Sequence, residues 1–232
     1  MKRRNNFSKS LIKLVLGGSL VLSGFVLTDY SPSSNLTIEE KERIRKTVSS
    51  VAKEQEQIFK IDHIGEPKIS FVPELSSVFN GYLGIYKSWS DEMWIRPGDN
   101  ERGSVAHELG HRYKSQVDKE IGKEWYKSFW GSVFVSKKDK LISEGIATYF
   151  KYRTIRRTLG KRMSHGDFKR YLRENKKNGA LYQEVGFLVV EPVLDRDVRM
   201  GVEILRRNPP SKRDLRDLIG YRERILEMMA EN

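Results

Sequence analysis

The 232-residue sequence contains no cysteine. That absence excludes disulfide scaffolds, iron–sulfur clusters, zinc ribbons and thiol catalysis. Histidine is scarce too: four copies, so a transition-metal site must draw on those four and on carboxylates. The longest uncharged hydrophobic stretch, Leu14–Leu27, has fourteen residues and includes Gly17-Gly18. A stable spanning helix needs about 20 apolar residues, so this stretch falls short. Acidic residues are in deficit, 31 against 43 Lys and Arg, giving a net charge of +12. At 38% hydrophobic and 32% charged, the chain can still bury a sizeable core, which excludes wholesale disorder.

The position of the positive charge carries more meaning than its sum. Lys2, Arg3, Arg4, Lys9 and Lys13 all precede the first acid, Asp29. A basic segment followed by a short apolar run is a secretory signal pattern. No A-x-A cleavage site follows it, so an uncleaved anchor is the alternative. Residues 1–35 are therefore read as a signal peptide or signal anchor with a short linker, and the folded part is placed in a secreted or membrane-anchored, extracytoplasmic setting. Of the remaining excess, much lies in 151–177, where eleven Lys and Arg face Asp167 and Glu174. A solvated helix face or contact with an anionic membrane or cell-wall surface would use such a stretch. Nucleic acid is not expected as a partner, since an exported chain seldom meets it.

Thr37-Ile-Glu-Glu40 is a capping box, and Ile44, Val48, Val51, Ala52 and Ile58 recur behind it at helical spacing. The pattern predicts a helix over 38–59, either a packing helix or a pro-segment over the cleft. Residues 68–73 read as a strand, and 81–96 as two strands around a turn at Ser90-Asp91. Helices are expected over 100–115, 120–130, 139–158, 166–175, 181–206 and 212–230. Pro192 should kink or divide the fifth of these, and Ser211 with Asp214 should cap the sixth. Strands first and helices afterwards indicate an α+β domain over 36–232, with subdomains of about 36–116 and 117–232.

Within the first long helix after the strands, Ser104-Val-Ala-His107-Glu108-Leu-Gly-His111 contains HExxH. On a helix His107 and His111 stand one turn apart on one face, so both imidazoles can converge on one ion. Glu108 is rotated about 100° from His107, beside the ion, where it can move a proton for an attacking water. A catalytic zinc needs a third protein ligand and an open fourth position. A metzincin-type third histidine would fall at Val117, which excludes that arrangement. His63 and His165 lie in segments with nothing that fixes them to the site. Glu144 is the only acid between Asp139 and Asp167 and sits in the apolar run Ile142–Phe150, where Gly145 and Ala147 permit a close helix approach. A buried carboxylate without a partner is costly, and a metal offsets that cost.

HELGH, with Ser143-Glu144-Gly-Ile-Ala-Thr-Tyr-Phe150 placing Glu144 33 residues after His111, resembles the gluzincin zinc peptidases. It is most similar to the peptidase-MA-like group and the zinc aminopeptidases, whose second motif reads E-G-x-A. The resemblance covers roughly residues 68–205. It implies Zn2+ held by His107, His111 and Glu144, with Glu108 as general base and then acid. It also implies a zincin-like fold, with a twisted N-terminal sheet over the HExxH helix and a helical C-terminal half. Tyr182, which opens a later helix, is the implied oxyanion donor, with His165, Tyr149 and Tyr152 as alternatives. Three departures stand out. Gly186 falls four residues after Tyr182 where the aminopeptidases have glycine at three. The G-x-M-E-N stretch that reads a free amine is replaced by Asp91-Glu-Met-Trp-Ile95. The acid found one turn past the ligand Glu in thermolysin-like members is Thr148.

The expectation is thus a zinc-dependent endopeptidase acting on peptides or proteins, with residues 91–95 as a bare edge strand that pairs with substrate. A different class of function would be a non-catalytic zincin-fold surface protein that binds anionic envelope polymers or lipids through 151–177.

Overall fold

The computed structural model describes residues 36–62, 64–71, 84–88, 90–95, 101–123, 136–156, 170 and 181–231. The expected signal segment, most of the basic stretch, His63, His165, and the helices expected over 120–130 and 166–175 lie largely or wholly outside them. Within 36–232 the chain forms one compact unit. Its described part is mixed α and β, mostly helical, with six α-helices and a small three-stranded sheet. Among the described residues no helix is long and apolar enough to cross a membrane.

Helix α1 spans Ile38–Phe59 and opens with the capping box: the Thr37 hydroxyl accepts from Glu40 N, and Glu40 accepts from Thr37 N at 2.8 Å. Its buried stripe of Ile44, Val48, Val51, Ala52 and Phe59 joins the common core. Gln55 is fully buried in that stripe and donates to the Ala106 carbonyl at 3.0 Å and the Thr154 hydroxyl at 3.1 Å. The strands are β1 (Lys68–Phe71), β2 (Gly84–Lys87) and β3 (Glu92–Ile95). Their order is β1-β3-β2, with β1 parallel and β2 antiparallel to β3. The strand expected to be a bare edge, 91–95, is therefore the central one. It is paired on both sides, and among the described residues β2 is an edge in its place.

Helix α2 runs over Glu101–Glu120, five residues beyond its expected end and straight through the expected subdomain boundary at 116. Asp118 explains the extension. It is fully buried in the last turn, with Arg206 Nε at 2.7 Å and Lys114 Nζ at 2.8 Å. Arg206, itself 1% exposed, also reaches Asp139 at 3.3 Å, so one guanidinium ties together three helices. Removing one partner of such a buried pair costs about 3–5 kcal/mol.

Helix α3 spans Lys137–Thr154 and is capped by Ser136. The expected helix over 181–206 is divided into α4 (Leu181–Leu194) and α5 (Val198–Arg207). The division falls after Pro192 rather than at it. Proline lacks the N–H that would bond Leu188 O, and Arg222 Nη1 approaches that carbonyl at 3.4 Å instead. The break comes where Asp197 accepts from Met200 N at 2.7 Å and starts a new helix. Ser211 and Asp214 bond reciprocally, but they open a short 3-10 turn at Asp214–Arg216. Helix α6 (Leu218–Ala230) begins later, capped by Asp217.

Two glycine contacts fix the helices that matter for the site. A Cβ on Gly110 of α2 would lie 2.8 Å from Ala147 Cα and 2.9 Å from Phe150 Cβ on α3. A Cβ on Gly186 of α4 would lie 2.4 Å from the Leu141 carbonyl oxygen, and one on Gly145 would lie 2.5 Å from Gly186 backbone. Hence α2, α3 and α4 stack with backbones nearly touching, and α3 is the middle layer.

Candidate metal centre

Val105, Ala106, Leu109 and Val117 anchor one face of α2 in the core. The opposite stripe brings His107 and His111 to face α3, with ring centroids 4.8 Å apart and planes at 89°. Glu144, in the second turn of α3, enters between them. Its Oε2 lies 3.4 Å from His107 Nε2 and its Oε1 lies 3.8 Å from His111 Nε2. One donor atom from each of the three residues falls within 4.8 Å of the others. A tetrahedral zinc with bonds of about 2.0–2.1 Å sets its donors about 3.3–3.4 Å apart. The two-imidazole, one-carboxylate set is of the right donor type for such an ion. The histidines meet different oxygens of Glu144 and the donors spread over as much as 4.8 Å, so the group must draw together to close on one ion. His111 and Glu144 each keep 19% side-chain exposure, which leaves a side open to solvent.

Polar neighbours orient these three side chains. His111 Nδ1 is 3.1 Å from the Ser143 hydroxyl, which orients the ring and leaves Nε2 for an ion. Thr148, one turn past Glu144, is buried with its hydroxyl unpaired. Burial holds the His111 imidazole well below its ordinary pKa, hence neutral, as a ligand must be. Burial alone would push Glu144 up, but the hydrogen bond with His107 outweighs it and holds the carboxyl below its ordinary range. Gln183 Nε2, from α4, adds a donor at 3.4 Å from Glu144 Oε2.

Glu108 is 6% exposed and lies beside the triad, not in it. Its Oε2 accepts from the backbone N–H of Tyr86 at 2.7 Å. Gly84 makes room: a Cβ there would come within 3.0 Å of Glu108 Cγ. Burial pushes the Glu108 carboxyl up to about 7, the Glu144 charge adding to the push while His107 and the Tyr86 amide pull against it.

The structure thus brings His107, Glu108, His111 and Glu144 together. Tyr182 is partly buried near the same end of α4, its ring 5.2 Å from Lys140 Nζ, one turn before Glu144 on α3. Tyr149 is turned into the core, 4% exposed, and its hydroxyl donates to Asp195 at 3.0 Å. Tyr152 stands edge-on to Phe187 at 5.1 Å. His165 lies outside the described residues. Sequence reasoning passed over Gly84, Tyr86, Ser143 and Gln183. The available signals were weak: Ser143 adjoins Glu144 and Gln183 adjoins Tyr182. No family model, curated protein or solved structure matches the chain.

Proposed function

We propose that the chain is a zinc-dependent endopeptidase of gluzincin type, with a zincin-like arrangement of its sheet and helices, exported or tethered outside the membrane. One observation carries the reading. The two histidines of HExxH and a carboxylate from a second helix converge within 4.8 Å, while the Glu of that motif lies buried beside them. His107, His111 and Glu144 would hold the zinc. When bound, the zinc supplies Lewis acidity that polarises a scissile carbonyl and makes water nucleophilic near neutral pH.

The chain's own groups do the rest. Glu108, fixed through Oε2 by the Tyr86 amide, keeps Oε1 for the proton of the attacking water and passes that proton to the leaving amine. In the metal-free chain burial raises this carboxyl to about 7, and a zinc ion beside it would lower it again, towards the ionised form that a base needs. Along β2 the Tyr86 N–H points away from β3. The alternation of an antiparallel ladder turns the Gly84 backbone to the same side, beside Glu108, and among the described residues no strand pairs there. With the Tyr86 N–H held by Glu108, the Gly84 backbone is what an extended peptide would pair with, which favours internal bonds over a free terminus as the point of attack. Tyr182 is assigned the hydrogen bond to the developing oxyanion, supported by its place next to Gln183, which touches Glu144.

The test is cleavage of a mixed peptide library by the chain with and without a chelator, beside Glu108→Gln. Chelator-sensitive cleavage that the Gln variant lacks while still binding zinc is expected. Full activity in Glu108→Gln would sink the assignment.

A further inference from the structure

Helix α2 grips strand β2 at two points one turn apart. Glu108 and Arg112 stand at i and i+4, on the stripe next to the one that carries the histidines. Glu108 holds Tyr86 by its backbone N–H at 2.7 Å. Arg112 holds the same residue chiefly through Asp91, with the Tyr86 hydroxyl also close to Arg112 itself and to Ser115. Its Nε and Nη2 lie 2.7 Å from the two carboxylate oxygens of Asp91, and Asp91 Oδ1 also accepts the Tyr86 hydroxyl at 2.8 Å. A two-pronged guanidinium–carboxylate contact fixes orientation as well as distance. Arg112 is 8% exposed, so solvent competes little for it. Asp91 occupies the β2–β3 turn with φ of 49°, a left-handed conformation that a non-glycine residue adopts at a cost. Its carbonyl accepts from Lys68 N at 2.9 Å, which ties β1 to the same turn. The chain of contacts Glu108–Tyr86–Asp91–Arg112 therefore leaves α2, crosses the sheet edge and returns to α2.

We infer that Arg112 is a positioning residue: through Asp91 and the Tyr86 hydroxyl it sets the height of β2 over α2 and so keeps the Tyr86 N–H on Glu108. The inference rests on the reading of Glu108 as general base, since holding that carboxylate is what the ring of contacts accomplishes. Without the ring, β2 is joined, among the described residues, to the sheet on one side, and it can ride up and carry the amide off the carboxylate.

Amide exchange tests this without reference to catalysis. The Tyr86 N–H faces away from β3, so Glu108 supplies its protection. In the full chain, Tyr86→Phe removes the hydroxyl alone, Arg112→Lys keeps the charge but loses the fork, and Arg112→Met loses both. Exchange at residue 86 is expected to quicken by about tenfold in Tyr86→Phe and in Arg112→Met, the effect of losing one hydrogen bond to a charged group. Arg112→Lys should fall between. The Ile85 and Met93 amides, which pair within the sheet, should keep wild-type protection, as should zinc affinity. With a peptide the wild type cleaves, kcat/KM should fall by a similar factor, since β2 both holds the Glu108 carboxylate and carries the edge on which the substrate would pair. Unchanged exchange at Tyr86 in Tyr86→Phe and Arg112→Met overturns the inference. So does an equal loss of protection at residues 85, 86 and 93, the signature of general loosening. If the wild-type chain cleaves no peptide, the peptidase reading fails, and the exchange result still decides the role of Arg112.

Discussion

Replacing Gly110 by alanine sets two magnitudes against each other at the seam between α2 and α3. The new methyl would lie 2.8 Å from Ala147 Cα and 2.9 Å from Phe150 Cβ. Carbon atoms rest at about 3.5–4.0 Å, so the helices must part by roughly 0.5–1 Å. Alanine in a helix interior is favoured over glycine by about 0.8–1.0 kcal/mol. Overpacking a tight core costs about 1–3 kcal/mol, and here the obstacles are backbone and Cβ atoms that cannot rotate away. The clash wins by about 1 kcal/mol, which for a domain of this size lowers the metal-free Tm by about 2–4 °C. The same parting widens the His107–Glu144 and His111–Glu144 separations, which already stand at 3.4 and 3.8 Å. Metal sites tolerate about ±0.2 Å, so zinc affinity should fall, and the loss of a supporting contact sets the scale at about 10–100-fold. At zinc about 100-fold above the wild-type Kd, bound metal stabilises by about 2.7 kcal/mol; a site weakened 100-fold keeps about 0.4 kcal/mol. Calorimetry with and without zinc reads both effects: a lower metal-free Tm and a much smaller zinc-induced rise. A Tm that increases by the propensity gain, with the zinc increment intact, would refute the reasoning.

Glu144→Ala should abolish stoichiometric zinc binding, and normal zinc content by elemental analysis would place the third ligand elsewhere. Ser143→Ala should weaken zinc by about 10–100-fold, with Ser143→Thr nearer wild type, because the hydroxyl orients His111; equal affinities in a competition titration would remove that role. The metal-free protein should also show a pH signature of Glu108, whose carboxyl burial raises from 4.5 to about 7. Between those values the native state keeps a proton that the unfolded chain has lost, so this group's contribution to stability falls as pH rises. Glu108→Gln lacks that slope. Its stability relative to wild type should climb by on the order of 3 kcal/mol from pH 4.5 to pH 7 in urea denaturation, and a flat difference would contradict the buried carboxyl.

The site was legible in the sequence where local periodicity decides geometry. His107 and His111 share a helical face whatever packs against it, and Glu144 stood out as a lone acid among apolar neighbours. What surrounds them depends on contacts distant in sequence. Tyr86 and Glu108 meet because β2 lies over α2. Nothing in the residues 84–95 announces that the third strand, not the second, pairs on both sides. Arg112 reads as one more surface cation until Asp91 is brought to it across the turn. The helix break after Pro192 was expected, but its position follows from the Asp197 cap, a stronger local signal than the proline.

Gln55 bears on how the chain tolerates shortening. It plugs α1 into the carbonyl of Ala106, one residue ahead of His107, and into Thr154 at the far end of α3. Proteolytic trimming that removed α1 would strip the apolar row Ile44, Val48, Val51 and Ala52 from the back of the histidine helix and leave buried polar atoms bare. N-terminal trimming therefore has a natural limit upstream of Thr37. A cut at Lys60 would dismantle the fold rather than unmask a site.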